Sequence, residues 1–311
     1  MIHYLGHTGI DKHRWDECID KSFNRRIYAY SWYLDLVCPG WEAIVEDDYI
    51  RVFPLTWRRK LGVNYLFQPF FAQQLGIFSP DELAVMQIND FIGAIPNKFR
   101  FAEIQLNSGN NVTFADGIST LRYNHEIWLA QTYEMLGVGY SQNTRRNLRK
   151  ALELEVCLGR VVRTDDLITL FRENFGNKEG KLRDADYETI QKVIDYCLSR
   201  KMGYIMGAYS DAGLLCAAAF FLFDHDRAYF LFAASSPEAR ENGAMFLLID
   251  RFIAENAQKP IMLDFEGGND PNLGRFYKSF GATVVTYPAI RINHLPGIAE
   301  RVLYFIRKLR P

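Results

Sequence analysis

Apolar positions along this chain follow two periods, and the two periods recur in the same order in each half. In the first half, Glu42–Glu46 and Ile50–Trp57 are apolar runs on either side of Asp47-Asp48. That pattern predicts a strand, a tight turn and a second strand. In the second half, Tyr204–Tyr209 and Leu214–Phe223 flank Asp211-Ala212-Gly213 in the same way. A third strand is predicted near Tyr65 and again near Ala228. Helices are predicted next, over Asp81–Gly93 and Gly243–Asn256; Phe246, Leu247, Ile249, Phe252 and Ile253 keep a helical period with one buried face. A further strand follows near Phe101 (FAEIQL) and near Ile261 (IMLDFE). Tyr65 and Phe101 are 36 positions apart, Ala228 and Leu263 are 35, and the near match reads as a duplication.

Helices precede each strand set. They are predicted over Asp11–Phe23 and Ser31–Val37 in the first half, and over Asn143–Leu152, Asp165–Phe175 and Asp184–Arg200 in the second, with Thr164 as an N-cap. The order gives an α/β protein of mixed sheets covered by helices. The expected division is residues 1–135, residues 136–295 and a basic amphipathic helix over 296–311, with the boundary near Gln131–Gly139, where glycines flank a polar turn. A chain of 311 residues is long enough for two cores.

Composition narrows the function. The net charge is −1, from 36 basic and 37 acidic residues, which argues against a protein that coats DNA with its whole surface. The five cysteines form no CxxC pair, and the six histidines are scattered without an HxH or HxxxH pair, so no metal site is expected. The first residues lack the apolar core of a signal peptide, and no apolar run is long enough to span a membrane, so a cytoplasmic protein is expected. The terminal helix, with Ile298, Val302, Phe305, Ile306 and Leu309 in one stripe, fits docking on its own protein better than lying on a lipid surface.

Three stretches carry a family likeness: YSQNTRRNLRKA (Tyr140–Ala151), LDFEGGNDPNLGRFYKSFGA (Leu263–Ala282) and QPFFAQQLGIF (Gln68–Phe78). Together with the strand order they resemble the FemAB family, which carries two GNAT-like acyltransferase units in tandem. No long helical insertion is present, which implies a compact member. The resemblance implies transfer of an acyl or aminoacyl group to an amine of a cell-envelope or polysaccharide precursor by direct attack on the donor carbonyl. The donor it implies is an acyl-coenzyme A or an aminoacyl-tRNA. A degenerate pair of GNAT folds that binds a ligand without catalysis is the alternative from another class.

The candidate residues follow. Arg145, Arg146 and Arg149 share a basic helix suited to phosphates, or form a solvated face. Arg240, Asn242, Gly243 and Ala244 occupy the place of the GNAT pyrophosphate loop, in which helix-terminal amides hold the phosphates. Met245 stands where that loop takes a small residue. Asp264 and Glu266 alternate on one strand, which predicts two carboxylates on one side and Glu266 as a general base. Tyr277 or Lys278 matches the family position beside the reacting ester, as a proton donor or an oxyanion partner. In the first half, Gln68 and Gln73 are candidates for acceptor contacts.

Overall fold

A computed structural model describes residues 1–112, 119–159, 162–175 and 182–295. The expected helix over 296–311 lies outside the described residues. By contact density the chain divides into two units, one holding residues 1–122 and the chain from Thr286 onward, the other Tyr123–Val285. The sequence reading drew its boundary at residue 135. Contacts draw it earlier because the strand through Tyr123 already pairs inside the second unit.

The first unit opens with β1 (Ile2–Leu5), α1 (Lys12–Lys21) and α2 (Ser31–Val37). Asp11 caps α1 by accepting from the amides of His13 and Arg14. Then come β2 (Glu42–Glu46), β3 (Arg51–Leu55), β4 (Trp57–Lys60), β5 (Val63–Leu66), α3 (Val85–Gly93) and β6 (Phe99–Gln105). The strand predicted over Ile50–Trp57 is two strands. Thr56 interrupts it by turning its hydroxyl onto the Phe67 carbonyl, 2.6 Å away. β1, β2 and β3 form an antiparallel sheet, while β5 and β6 run parallel.

The second unit contains β7 (Ser119–Trp128) from Tyr123 onward, α4 (Tyr133–Val138), α5 (Gln142–Glu153), β8 (Cys157–Gly159), α6 (Thr164–Phe175) and α7 (Asp184–Ser199). β9 (Gly203–Tyr209), β10 (Leu215–Asp224), β11 (Arg227–Ser235), α8 (Pro237–Asn242), α9 (Ala244–Asn256), β12 (Met262–Asp264) and α10 (Pro271–Lys278) complete it. The last strand, β13 (Thr283–Asn293), continues from here into the first unit and pairs β6 there. Thr164 is the first helical residue of α6, and its hydroxyl donates to Asp195 at 2.6 Å.

Strand order in the second unit is β7-β12-β11-β10-β9-β8. β11 and β12 are the parallel pair, and their pairing stops at Tyr229↔Asp264. β11 continues alone on that side to Ser235, so the sheet opens at the end of β12. The matching parallel pair in each unit, β5–β6 and β11–β12, is the structural form of the repeat read from the sequence.

α9 buries Leu248, Ile249, Phe252 and Ile253 in the core of the second unit. Phe252 stacks on Phe221 with ring centroids 3.8 Å apart. Each such side chain contributes about 1.5–3 kcal/mol by leaving water. All five cysteines are free thiols, four buried and Cys157 exposed. Burial pushes Cys18 and Cys38 up to about 11 and Cys197 up to about 12, so these three are not thiolate nucleophiles near neutral pH.

Candidate functional site

Where the sheet opens, the chain after β12 makes a glycine turn and enters α10. Asp270 caps α10 through the amides of Asn272 and Leu273. The turn is tied to β7 on both sides: the Phe265 amide donates to the His125 carbonyl at 3.0 Å, the Gly267 amide to Asn124 at 3.1 Å, and the Tyr123 amide to Asn269 at 3.0 Å. Tyr123 and His125 alternate onto one face of β7; Lys278 lies one turn beyond the adjacent Gly274 and Arg275 along α10. With Gly268, Pro271 and Val284 they line a cavity of about 420 Å³.

His125 is 2 % exposed. Its Nδ1 lies 3.0 Å from the Gly267 carbonyl, which only accepts, so Nδ1 carries the hydrogen. Nε2 is then left with a lone pair. That atom is buried and has no hydrogen-bond partner among the described residues. The ring fits because two neighbours lack side chains. Gly268 has φ +137, and a Cβ there would overlap the imidazole. A Cβ on Gly274 would stand 3.2 Å from the ring's Cε1.

Beneath the turn lies a buried charge network. Arg227 donates to Glu126 at 2.7 Å and to Asp264 at 2.9 Å from the same nitrogen. Asn124 donates to Asp264 at 2.8 Å. Burial lowers the Arg227 pKa, but Asp264 and Glu126 more than offset it, and the guanidinium is held charged. The network joins β7, β11 and β12.

The expectation that Asp264 and Glu266 point to one side is corrected. β12 ends at Asp264, and Glu266 has φ +57, so the strand alternation does not reach it. Asp264 is fully buried in the network and accepts the Glu266 amide at 2.9 Å. Tyr277 is buried and stacks on Phe265 with centroids 4.6 Å apart. Burial, and after it the Glu266 charge, raises its phenol pKa and keeps it protonated. Lys278 is exposed at the cavity.

Arg145, Arg146 and Arg149 are exposed on α5. Arg145 donates to the carbonyls of Gly137 and Val138, at 3.2 and 3.1 Å, at the end of α4, and Arg146 to Asn143 at 2.8 Å. In the first unit, Gln68 donates to the Ala72 carbonyl and accepts the Gln105 amide at 2.9 Å, which pins its own loop to β6. Gln73 accepts from Gln74 at 2.8 Å. Of the sequence candidates, the cavity gathers only Lys278. It adds His125, which the sequence reading passed over because no second histidine lies at ligand spacing.

The loop Arg240–Ala244 is the expected cradle for a coenzyme A pyrophosphate. Gly243, at φ +75, ends α8 and starts α9. A Cβ there would overlap the Asn147 carbonyl of α5. Ala244 is fully buried and its amide already donates to Asn242 at 3.0 Å. The neighbouring cavity, about 330 Å³, is lined by Glu153, Glu155, Asp211, Glu238 and Glu241, which repel a diphosphate. The residues present do not fit a pyrophosphate here. Acetyl-coenzyme A is accordingly expected to leave the melting temperature of the protein unchanged at millimolar concentration. A saturable rise would overturn this.

This fold is that of the GNAT acyltransferases. Residues 139–279 match the family model described as an acetyltransferase (GNAT) domain. Over 94 % of its length the chain superposes on 98 % of FemX, at 14 % identity and a TM-score of 0.62. It is similar to a conserved protein of unknown function from Bacteroides thetaiotaomicron (11 % identity, 90 % of this chain and 97 % of that one, TM-score 0.56). It is also similar to the C-terminal domain of a candidate lysylphosphatidylglycerol synthetase from Agrobacterium fabrum (13 % identity, 94 % and 95 %, TM-score 0.54). These likenesses establish a FemAB-like GNAT fold over nearly the whole chain. No curated protein matches the chain in sequence. Among the described residues no group of His, Cys, Asp or Glu is placed to hold a metal ion, and no helix is long and apolar enough to cross a membrane.

Proposed function

We propose that this protein transfers an acyl or aminoacyl group from an ester donor to a primary amine of a cytoplasmic cell-envelope or polysaccharide precursor, in the cavity beside the glycine turn. The observation that carries the reading is the pair Arg275 and Lys278 at a cavity beside the open end of the parallel pair in a GNAT domain. An amine that attacks an ester carbonyl creates an oxyanion, and a preset ammonium such as Lys278 stabilises it. Arg275 suits a phosphate or carboxylate on the acceptor. Tyr277, kept protonated by burial, is assigned a positioning role beside the turn, and Glu266 is a carboxylate whose charge acts on it.

The donor loop points away from an acyl-coenzyme A and toward an aminoacyl-tRNA, whose phosphates Arg146 and Arg149 would meet on the exposed face of α5. A neighbour named for joining lysine to phosphatidylglycerol is compatible with an aminoacyl donor.

The test offers radiolabelled mixed aminoacyl-tRNAs, and separately acyl-coenzyme A esters, with amine-bearing nucleotide-linked envelope precursors. Label is expected to pass from aminoacyl-tRNA to an acceptor, and Lys278→Met to lower kcat by about 10²–10³-fold. Transfer from coenzyme A esters alone would reverse the donor assignment. No transfer from any donor would favour a ligand-binding protein without catalysis.

A further inference from the structure

We infer that His125 is the proton acceptor for the attacking nucleophile in the cavity, with Nε2 as the reacting atom. Three independent features place it there. The Gly267 carbonyl fixes the hydrogen on Nδ1, so Nε2 carries a lone pair. Nε2 is buried in a side chain that is 2 % exposed, and no protein atom among the described residues satisfies it. An orphaned buried acceptor is costly unless something fills it, and His125 is among the residues that line the cavity. Gly268 leaves room for the ring where any side chain would displace it, and at Gly274 a Cβ would press on its edge. The orientation is therefore held by the turn's backbone.

The inference rests on the acyl-transfer reading and names the group that makes it work. As the amine nitrogen bonds to the ester carbonyl carbon, its proton passes to Nε2. The tetrahedral oxyanion then collapses, the carbon–oxygen ester bond breaks, and the imidazolium returns the proton to the leaving alkoxide. Protons and electron pairs balance without a further reactant. Arg275 and Lys278 line the same cavity. Tyr277, with its ring centroid 5.9 Å from that of His125, backs the imidazole without donating to Nε2.

The test uses p-nitrophenyl acetate, because hydrolysis needs a nucleophile and a base but neither the native donor nor the acceptor amine. The base takes a proton from water as its oxygen attacks; acetate and p-nitrophenol are released. The whole protein is expected to release nitrophenol saturably and faster than an equal concentration of free imidazole. His125→Gln, shown folded by its circular dichroism and melting temperature, is expected to lose about 10²-fold or more of that rate. His225→Gln, an exposed histidine outside the cavity, should keep it. In His125→Ala, added imidazole should restore the rate saturably by occupying the vacated space, which a purely structural role would not permit. A wild-type rate no better than free imidazole, an unchanged rate in His125→Gln, or a loss in His125→Ala that imidazole does not restore would each overturn the inference. Failure of amine transfer with His125-dependent hydrolysis intact would overturn the proposed function alone.

Discussion

Arg227→Met is expected to lower the unfolding free energy by about 3–5 kcal/mol, the largest loss of any single polar substitution proposed for this protein. The cause is not the attraction lost but the two carboxylates left behind. Asp264 is fully buried and Glu126 is 5 % exposed, and one guanidinium nitrogen serves both. Without it, two like charges face each other in a low-dielectric interior, and the neutral donors Asn124 and the Glu266 amide do not replace the lost positive charge. Denaturant unfolding followed by circular dichroism measures the loss. Adding Glu126→Gln and Asp264→Asn to the same variant should recover roughly half of it, because the cost lies in uncompensated charge. If the single variant lost less than about 1 kcal/mol, the network would not be holding β7, β11 and β12 together.

Gly268→Ala and Gly267→Ala should behave oppositely although the residues are adjacent. At Gly268 the methyl would meet the His125 ring, and φ is +137, a conformation that alanine adopts only under strain. Overpacking and backbone strain together are expected to cost about 2–4 kcal/mol. The substitution should also move the imidazole and lower transfer by the same order as removing it. At Gly267 the nearest atom to an added Cβ is a Tyr277 ring carbon at 3.6 Å, ordinary contact distance, and alanine should be tolerated within about 1 kcal/mol. Thermal melts and transfer assays on the two variants separate these outcomes. Equal effects would mean that the turn does not position His125.

Much of the fold was legible along the chain. Ser31–Val37, Glu42–Glu46 and the helix ending at Asn256 are found almost residue for residue where periodicity put them, because each buries one face and its apolar spacing records that face. Two elements differ from that reading. Ser236-Pro237 is a cap followed by proline at the first helical turn, and it opens α8 ahead of the predicted helix. The strand through Tyr123–Trp128 lies before the boundary expected near Gln131–Gly139, yet it belongs to the second unit.

Taken by itself, the sequence determined the duplicated α/β order, the helix faces and the glycine turn that closes β12, since these depend on residues close together along the chain. Tertiary structure alone decided which residues meet at the site. His125 and the Gly267 carbonyl that orients it are 142 residues apart, and Arg227 binds Glu126 across 101. The Arg240–Ala244 loop matches the phosphate-binding pattern in part, with Met245 departing from it, and Asn242 takes the Ala244 amide while α5 packs against Gly243. A local pattern specifies which backbone groups are available. Only packing between distant elements determines whether they stay available to a ligand, and which lone histidine is left with an atom for one to find.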